Sequence, residues 1–145
     1  MSDTTLETRA FLSLQRAADR LMTGLALLLK PSGLSPTQYN VLRILRGAGE
    51  AGLACHAIGD RLITRDPDIT RLLDRLEKRG LVARTREIQD RRVITVRITP
   101  EGLDLRAPLD SAVTELHRLQ AAHLGDARLA ELIAALDELR PGDEG

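Results

Sequence analysis

The sequence has almost no aromatic residues: Phe11 and Tyr39 are the only two, and there is no tryptophan. The core must therefore be built from leucine, isoleucine, valine and alanine, and leucine and alanine favour helices. The apolar content of 43% is that of an ordinary globular protein. A chain of 145 residues can bury a sizeable core, which favours a single main domain.

Cysteine and long apolar runs are also scarce. Cys55 is the only cysteine, which excludes an intrachain disulfide. The first ten residues contain no apolar run, so we expect no signal peptide. The longest apolar stretch, residues 25–29, is far shorter than the roughly 20 residues that cross a bilayer. We therefore expect a cytoplasmic protein with no membrane partner.

The net charge is zero, but the charge is unevenly distributed. Residues 61–97 carry eleven basic and six acidic side chains, a net charge of +5. Residues 101–145 carry four basic and ten acidic side chains, a net charge of −6. This asymmetry predicts a basic module beside an acidic one, so a polyanionic partner is not excluded.

Helical periodicity predicts three helices in the first half of the chain, over residues 4–30, from residue 35 onward and over residues 55–62. Ser35 is a good N-cap for the second, with Pro36 in its first turn and Gln38 completing a capping box. Asp66 and Pro67 predict the start of a fourth helix.

Apolar residues on the fourth helix recur at the spacing of a buried stripe: Ile69, Leu72, Leu73 and Leu76. Gly80 is a good helix stop. Residues 81–86 and 92–98 then read as the two strands of a hairpin, because the second alternates between apolar and polar side chains. Two further helices are predicted over residues 100–122 and 126–139, and Pro108 is expected to kink or split the first of them.

This order of elements predicts a mainly α protein with a small β-hairpin wing, in the α+β class. Two short helices joined by a tight connector and followed by a hairpin form a winged helix-turn-helix, here within residues 53–100. The connector contains Arg65. Winged helix-turn-helix modules typically bind duplex DNA, with the second helix in the major groove.

The polar side of the fourth helix is rich in charge. Arg71, Asp74, Arg75 and Lys78 share one face, nearly opposite the apolar stripe. Base contacts come from the N-terminal part of such a helix, which makes Asp68, Thr70 and Arg71 candidates. The alternative is an ordinary solvated face, with Asp74 and Lys78 forming a surface ion pair.

The hairpin supplies a second basic cluster: Arg84, Arg86, Asp90, Arg91 and Arg92. A two-stranded ribbon can place arginine beside phosphates or in the minor groove, and Asp90 is suited to orient one arginine. The alternative is that a hairpin tip is charged only because solvent surrounds it.

The stretch DITRLLDRLEKRGLVAR, followed by DRR and then by VRITPEG, resembles the MarR family of transcriptional regulators. The resemblance is close over residues 53–103 and fits the family layout over nearly the whole chain. It implies a regulator, expected to be a repressor, that binds a pseudo-palindromic duplex as a homodimer. Thr70, Arg71 and Arg75 would then contact DNA, as would Asp90, Arg91 and Arg92. Many members carry a small hydroxyl residue where this chain has Asp68.

The resemblance further implies three regions: an N-terminal dimerisation helix over residues 1–34, a DNA-binding domain over residues 35–100, and C-terminal dimerisation helices over residues 101–145. The last predicted helix has five Leu or Ile side chains on one face. Each contributes about 1.5–3 kcal/mol when buried, so a second copy is a suitable cover. Packing within one chain is the alternative.

The family resemblance also implies a small, often aromatic acid as an effector, and constitutive repression is the alternative. Cys55 is a candidate for a redox sensor, although redox members of the family place their reactive cysteine near the N-terminal helix and Cys55 does not match that position. The three histidines lack a same-face ligand spacing, so no metal and no cofactor are expected. We find no arrangement typical of an enzyme. A winged-helix protein that acts only through protein–protein contact is the remaining alternative.

Overall fold

The computed structural model describes residues 4–63 and 65–140. This part of the chain contains six α-helices, three short 3-10 turns and one three-stranded antiparallel sheet, which confirms the expected mainly α class. The helices are α1 (Leu6–Leu29), α2 (Pro36–Ala48), α3 (Cys55–Arg61), α4 (Ile69–Lys78), α5 (Pro100–Ala121) and α6 (Asp126–Glu138). The strands are β1 (Leu53–Ala54), β2 (Val82–Arg86) and β3 (Ile94–Ile98).

The first two helices begin at side-chain caps. The Thr5 hydroxyl accepts the N–H of Thr8, so α1 begins two residues later than predicted. The predicted capping box of α2 is confirmed, because Ser35 accepts the Gln38 N–H at 3.1 Å and the Gln38 side chain accepts the Ser35 N–H at 2.9 Å. These bonds satisfy amide groups that a helix leaves without partners at its N-terminus.

The start of the fourth helix was predicted wrongly. Asp68 is the N-cap of α4, and its carboxylate accepts the Arg71 N–H at 3.0 Å. Asp66 instead accepts the N–H of Asp68 at 2.8 Å, which forms a turn ahead of the helix. A carboxylate two residues nearer to the apolar stripe reaches the free amides of the first turn, so it determines where α4 begins.

The end of α4 follows the expected glycine signal. Gly80 has a φ of +74°, a left-handed conformation in which other residues are strained. The Leu81 N–H bonds to the Leu76 carbonyl at 3.0 Å, and the Gly80 N–H bonds to the Glu77 carbonyl at 2.9 Å. This pair of bonds closes the helix and turns the chain directly into β2.

The sheet contains one strand more than the predicted hairpin. β2 and β3 pair with Val82 opposite Ile98 and Arg86 opposite Ile94. β1 adds to the other edge of β3, with Leu53 opposite Val96. A two-residue strand is too short to show alternation, so the sequence pattern could not reveal it.

Helix α5 packs against the hairpin at its first turn. Thr99 caps it as predicted, and the Thr99 hydroxyl also donates to the Gly80 carbonyl at 2.6 Å. A Cβ on Gly102 would lie only 2.3 Å from the Leu81 carbonyl oxygen, so this close packing requires glycine. Pro108 does not split the helix, which runs unbroken through it to Ala121.

The core lies between α2, α3, α4 and the sheet, and includes Leu42, Leu45, Ile58, Leu73 and Val96. In contrast, Leu29 is the only buried residue of α1, and α6 has none. In the part of the chain that the structure describes, no helix combines the length and apolar character needed to cross a membrane.

Candidate DNA-binding surface

Helix α4 separates an apolar side from a charged side, as its sequence predicts. Leu72, Leu73 and Leu76 are buried. The exposed residues of α4 include its basic side chains, Arg71, Arg75 and Lys78, together with Asp74. The buried leucines hold the helix against the core, so its basic face points outward and is available to a polyanion.

Asp68 has a structural role at the start of this face. Besides capping α4, its carboxylate lies 3.5 Å from Nε of Arg71. The carboxylate is therefore already engaged by the helix amide and partly neutralised by a neighbouring guanidinium. Thr70 is exposed in the first turn, beside Arg71.

The tip of the hairpin is held together by its own polar groups. Asp90 Oδ1 accepts two hydrogen bonds from Arg92, one from the main-chain N–H at 3.0 Å and one from the side-chain Nε–H at 3.2 Å. Asp90 therefore orients Arg92, as predicted. The Arg86 guanidinium donates to the Arg91 carbonyl across the hairpin. The side chains of Arg91 and Arg92 are exposed, and that of Arg92 is 92% exposed. The tip thus presents arginine on a defined loop.

Arg84 behaves differently from the other arginines of the hairpin. Its guanidinium pairs with Asp74 and Glu77 of α4, and only 21% of its side chain is exposed. Hydrogen bonding to Arg84 lowers the pKa of Glu77, and the bond to Glu77 raises the pKa of Arg84. The alternative interpretation of this face paired Asp74 with Lys78. The structure instead pairs Asp74 with Arg84.

Sequence reasoning missed two residues, one in α4 and one at its C-cap, that position this surface. Glu77 receives Arg84 from the wing, and Arg79 donates to the carbonyls of Ser32 and Gly33 at 2.8 and 2.9 Å. Arg79 thereby ties the end of α4 to the turn after α1. In the sequence, residues 77–80 (EKRG) indicate charged residues at the end of a helix. They do not indicate which distant groups those side chains bind.

The remaining candidates lie outside α4 and the hairpin. Arg65 is exposed in the connector before α4. Cys55 is half-buried at the start of α3, and burial raises the pKa of its thiol. A raised pKa disfavours the thiolate that a redox sensor needs. Among residues 4–63 and 65–140, no three His, Cys, Asp or Glu side chains are grouped to hold a metal ion.

A second polar cluster joins α2 to α5. The Tyr39 hydroxyl donates to Asp110 Oδ1 at 2.5 Å, and the other oxygen of Asp110 pairs with the buried guanidinium of Arg106. Burial and the bond to Asp110 raise the pKa of Tyr39 to about 12. The partner of Tyr39 is not visible from sequence, since Asp110 is 71 positions away.

An open cleft of about 200 Å³ lies beside this cluster, between α1, α2 and α5. Met22, Leu25 and Val113 give it apolar walls, while Arg43 and His117 add polar groups at its lining. Such a mixture of apolar wall and few polar groups is typical of small-molecule sites.

Together, the helix pair, the exposed basic helix face and the arginine-bearing hairpin define a winged helix-turn-helix protein of the DNA-binding type. A comparison with known proteins supports this class. The sequence model of the MarR family matches residues 34–94. The transcriptional repressor MdtR of Bacillus subtilis is 33% identical, with 83% of each chain covered. The homoprotocatechuate degradative operon repressor of Escherichia coli is 27% identical, covering 88% of this chain and 84% of its own.

Solved structures agree. A MarR transcription factor from Planctomyces limnophilus is 41% identical, covers 94% of this chain and 98% of its own, and superposes with a TM-score of 0.73. A mutant MarR of E. coli, complexed with operator DNA, shares the fold at 22% identity and a TM-score of 0.85, covering 97% of this chain and 100% of its own. The chain belongs to the MarR family of transcriptional regulators. That membership confirms the expectation that it is not an enzyme.

Proposed function

We propose that two copies of this chain bind a pseudo-palindromic duplex and repress transcription there. Each copy would place α4 in the major groove and the tip of the hairpin in the minor groove. The observation that carries this is the exposed basic face of α4, with Arg71, Arg75 and Lys78, accompanied by Arg91 and Arg92 at the hairpin tip. The repressor names of two relatives support the direction of control.

The roles within this surface follow from exposure. Arg71 and Thr70 lie in the first turn of α4, the part of the helix from which base contacts are made. Arg75 and Lys78 lie further along the helix and would contact DNA phosphates. At the hairpin, Asp90 holds Arg92 in place. Further positive charge comes from Arg86 and Arg91 of the hairpin and from Arg65 of the connector before α4. Asp68 caps α4 and thereby fixes the position of Arg71 in its first turn.

Residues 1–34 and 101–145 are proposed to dimerise, leaving residues 35–100 as the DNA-binding domain. The apolar side chains of the terminal helices support this, since Phe11, Leu27, Ile133 and Leu139 are all more than half exposed in one chain. Large exposed apolar patches mark interfaces, and we propose that these side chains contribute to one. A homodimer also explains a two-fold symmetric DNA site.

The experiment is duplex binding at several salt concentrations, using a site selected from fragments of the source genome. Arg71→Ala and Arg92→Ala should each weaken binding by about five- to a hundredfold, as lost arginine contacts do. Affinity should fall steeply with salt, because several phosphate contacts release counterions.

Arg118→Ala is the matched control, because Arg118 pairs with Glu115 on the exposed side of α5. It should bind as the parent does. Equal binding by all four proteins would contradict the proposed surface. It would favour the alternative in which the winged helix serves only protein–protein contact.

A second proposal concerns release from DNA by a small acid with an apolar body. The cleft between α1, α2 and α5 supports it, because Arg43 and His117 stand beside apolar walls there. Benzoate is a suitable probe: it should weaken duplex binding by the parent, and Arg43→Ala should remove that response. Binding that is unchanged by benzoate and by larger aromatic acids would favour constitutive repression.

A further inference from the structure

Arg84 is the arginine of the wing that faces inward. It lies in the middle of β2, and its Nη2 donates to Asp74 and to Glu77 Oε1, the latter at 3.0 Å. Its main-chain N–H donates to Glu77 Oε2 at 3.0 Å. One residue of the wing therefore makes three bonds to two carboxylates of α4.

The accessibility of the arginines supports a division of labour. The side chain of Arg92 is 92% exposed and that of Arg84 is 21% exposed. Arg84 could reach a phosphate only by leaving two carboxylates without their partner. Breaking paired and partly buried charges is costly, because each loses its hydrogen bonds as well as the attraction.

The two carboxylates lie beside the residues proposed to meet DNA. Asp74, Glu77 and Arg84 line the same groove as Arg71, Arg75 and Lys78, between α4 and the wing. Two unpaired carboxylates in that groove would repel phosphates and weaken the basic face. Arg84 halves their negative charge and at the same time joins β2 to α4.

We propose that Arg84 is a positioning residue, which fixes the wing to the recognition helix and halves the negative charge of Asp74 and Glu77, and is not itself a DNA contact. This rests on the proposed function only for its effect on duplex binding. It reassigns a residue that the sequence pattern groups with the other wing arginines. It also assigns a role to Glu77, which the pattern left without one.

The test is a thermodynamic cycle on duplex affinity. Its variants are Arg84→Met, the pair Asp74→Asn with Glu77→Gln, and all three changes together. Arg84→Met should weaken binding about tenfold through the uncovered carboxylates. Neutralising the two acids should restore affinity in the Arg84→Met background by several times more than it improves the parent. If the acids matter equally in both backgrounds, Arg84 does not act through them and the proposal fails.

Salt dependence separates positioning from direct contact. Loss of a phosphate contact lowers the slope of log affinity against log salt by about one, which is expected for Arg92→Ala. The triple variant should keep the parent slope, since it loses no phosphate contact. A slope reduced as far as that of Arg92→Ala would show that Arg84 does contact phosphate and would overturn the proposal.

Hydrogen exchange provides a readout that needs no DNA. The Arg84 amide and its neighbours in β2 should exchange faster in Arg84→Met than in the parent, while amides of α2 stay unchanged. Arg86→Met is the matched control, because that guanidinium bonds within the hairpin and not to α4. If the parent bound no duplex, faster exchange confined to Arg84→Met would still support the positioning role. Unchanged exchange would reject it.

Discussion

The winged-helix lobe (residues 35–100) and the terminal helices (α1, α5 and α6) cover their apolar side chains differently. In the lobe, Leu42, Leu45, Leu73 and Val96 are fully buried within one chain. In α6, no residue is buried, and Ile133 is 58% exposed. Both regions carry apolar stripes at helical spacing, so the pattern alone does not tell them apart. The difference indicates that the lobe buries its apolar stripe within one chain, and it supports the proposal that the terminal helices dimerise.

The two regions also use charge differently. In the lobe, acidic residues cap or pair: Asp68 caps α4, Asp90 orients Arg92, and Glu77 holds Arg84. In α5, Glu115 pairs with Arg118 within its own helix, at the exposed surface. Exposed pairs such as this one, and that of Asp90 with Arg92 in the lobe, contribute little to stability. The acids of the lobe therefore help to shape the proposed binding surface, because they cap α4 and hold Arg84 and Arg92 in place.

The largest expected effect is at the joint between the regions. Gly102→Ala should lower the free energy of unfolding by about 3 kcal/mol or more, because its Cβ would lie 2.3 Å from the Leu81 carbonyl oxygen. The backbone there must move, and α5 would no longer pack closely on the hairpin. Chemical denaturation at a fixed protein concentration measures the change.

Gly59→Ala is the matched control. Gly59 lies in α3, and nothing stands within 4 Å of a Cβ built there. Alanine should stabilise that helix by about 0.5–1 kcal/mol. If both variants were equally stable, the close contact at Gly102 would not be needed, and the regions would be less tightly joined than we infer.

The next effect tests the exposed stripe of α6. Ile133→Asp should weaken dimerisation by about a hundredfold or more, because the loss of about 1.5–3 kcal/mol occurs once in each copy. Glu131→Gln is the control, since Glu131 is exposed and lies two residues away, on another face of α6. Light scattering over a range of micromolar concentrations distinguishes the species. A parent that stays monomeric there would contradict the dimer.

A smaller effect is expected where α2 of the lobe meets α5. Tyr39 is the only tyrosine, so tyrosinate absorbance reports its pKa alone, which is raised to about 12. The neutral phenol is favoured in the fold. Its stabilising effect is therefore complete below the ordinary pKa of about 10 and is lost as the pH rises toward 12.

Asp110→Asn should lower the pKa of Tyr39 only part of the way, because burial is the first cause of the shift and the bond to Asp110 is the second. Asp104→Asn, at an exposed position of α5, should leave the pKa unchanged. Titration near the ordinary value in the parent would mean that Tyr39 is not held at this joint.

What the sequence predicts well is local. The capping box at Ser35, the stop at Gly80 and the buried stripe of α4 all depend on neighbours within one or two helical turns. What it misses is distant or very short. Arg79 reaches carbonyls 46 and 47 positions away, and Arg84 turns toward α4 where a strand pattern permits either direction. The prediction of where α4 begins was wrong because Asp66 and Asp68 are both suitable caps, and only the geometry of the chain decides between them.

The smallest effect is expected at Cys55, which lies inside the lobe. As the only cysteine, it allows its thiol to be followed without interference. Burial raises its pKa, although Arg84 opposes the shift, so the thiolate fraction at neutral pH is low. A thiol probe should therefore react slowly with the folded protein and faster in urea, and Cys55→Ala should bind duplex as the parent does. Rapid reaction of the folded protein, with oxidation releasing the duplex, would instead support a redox sensor. It would also show that the lobe opens at α3, against the contrast between a closed lobe and open terminal helices.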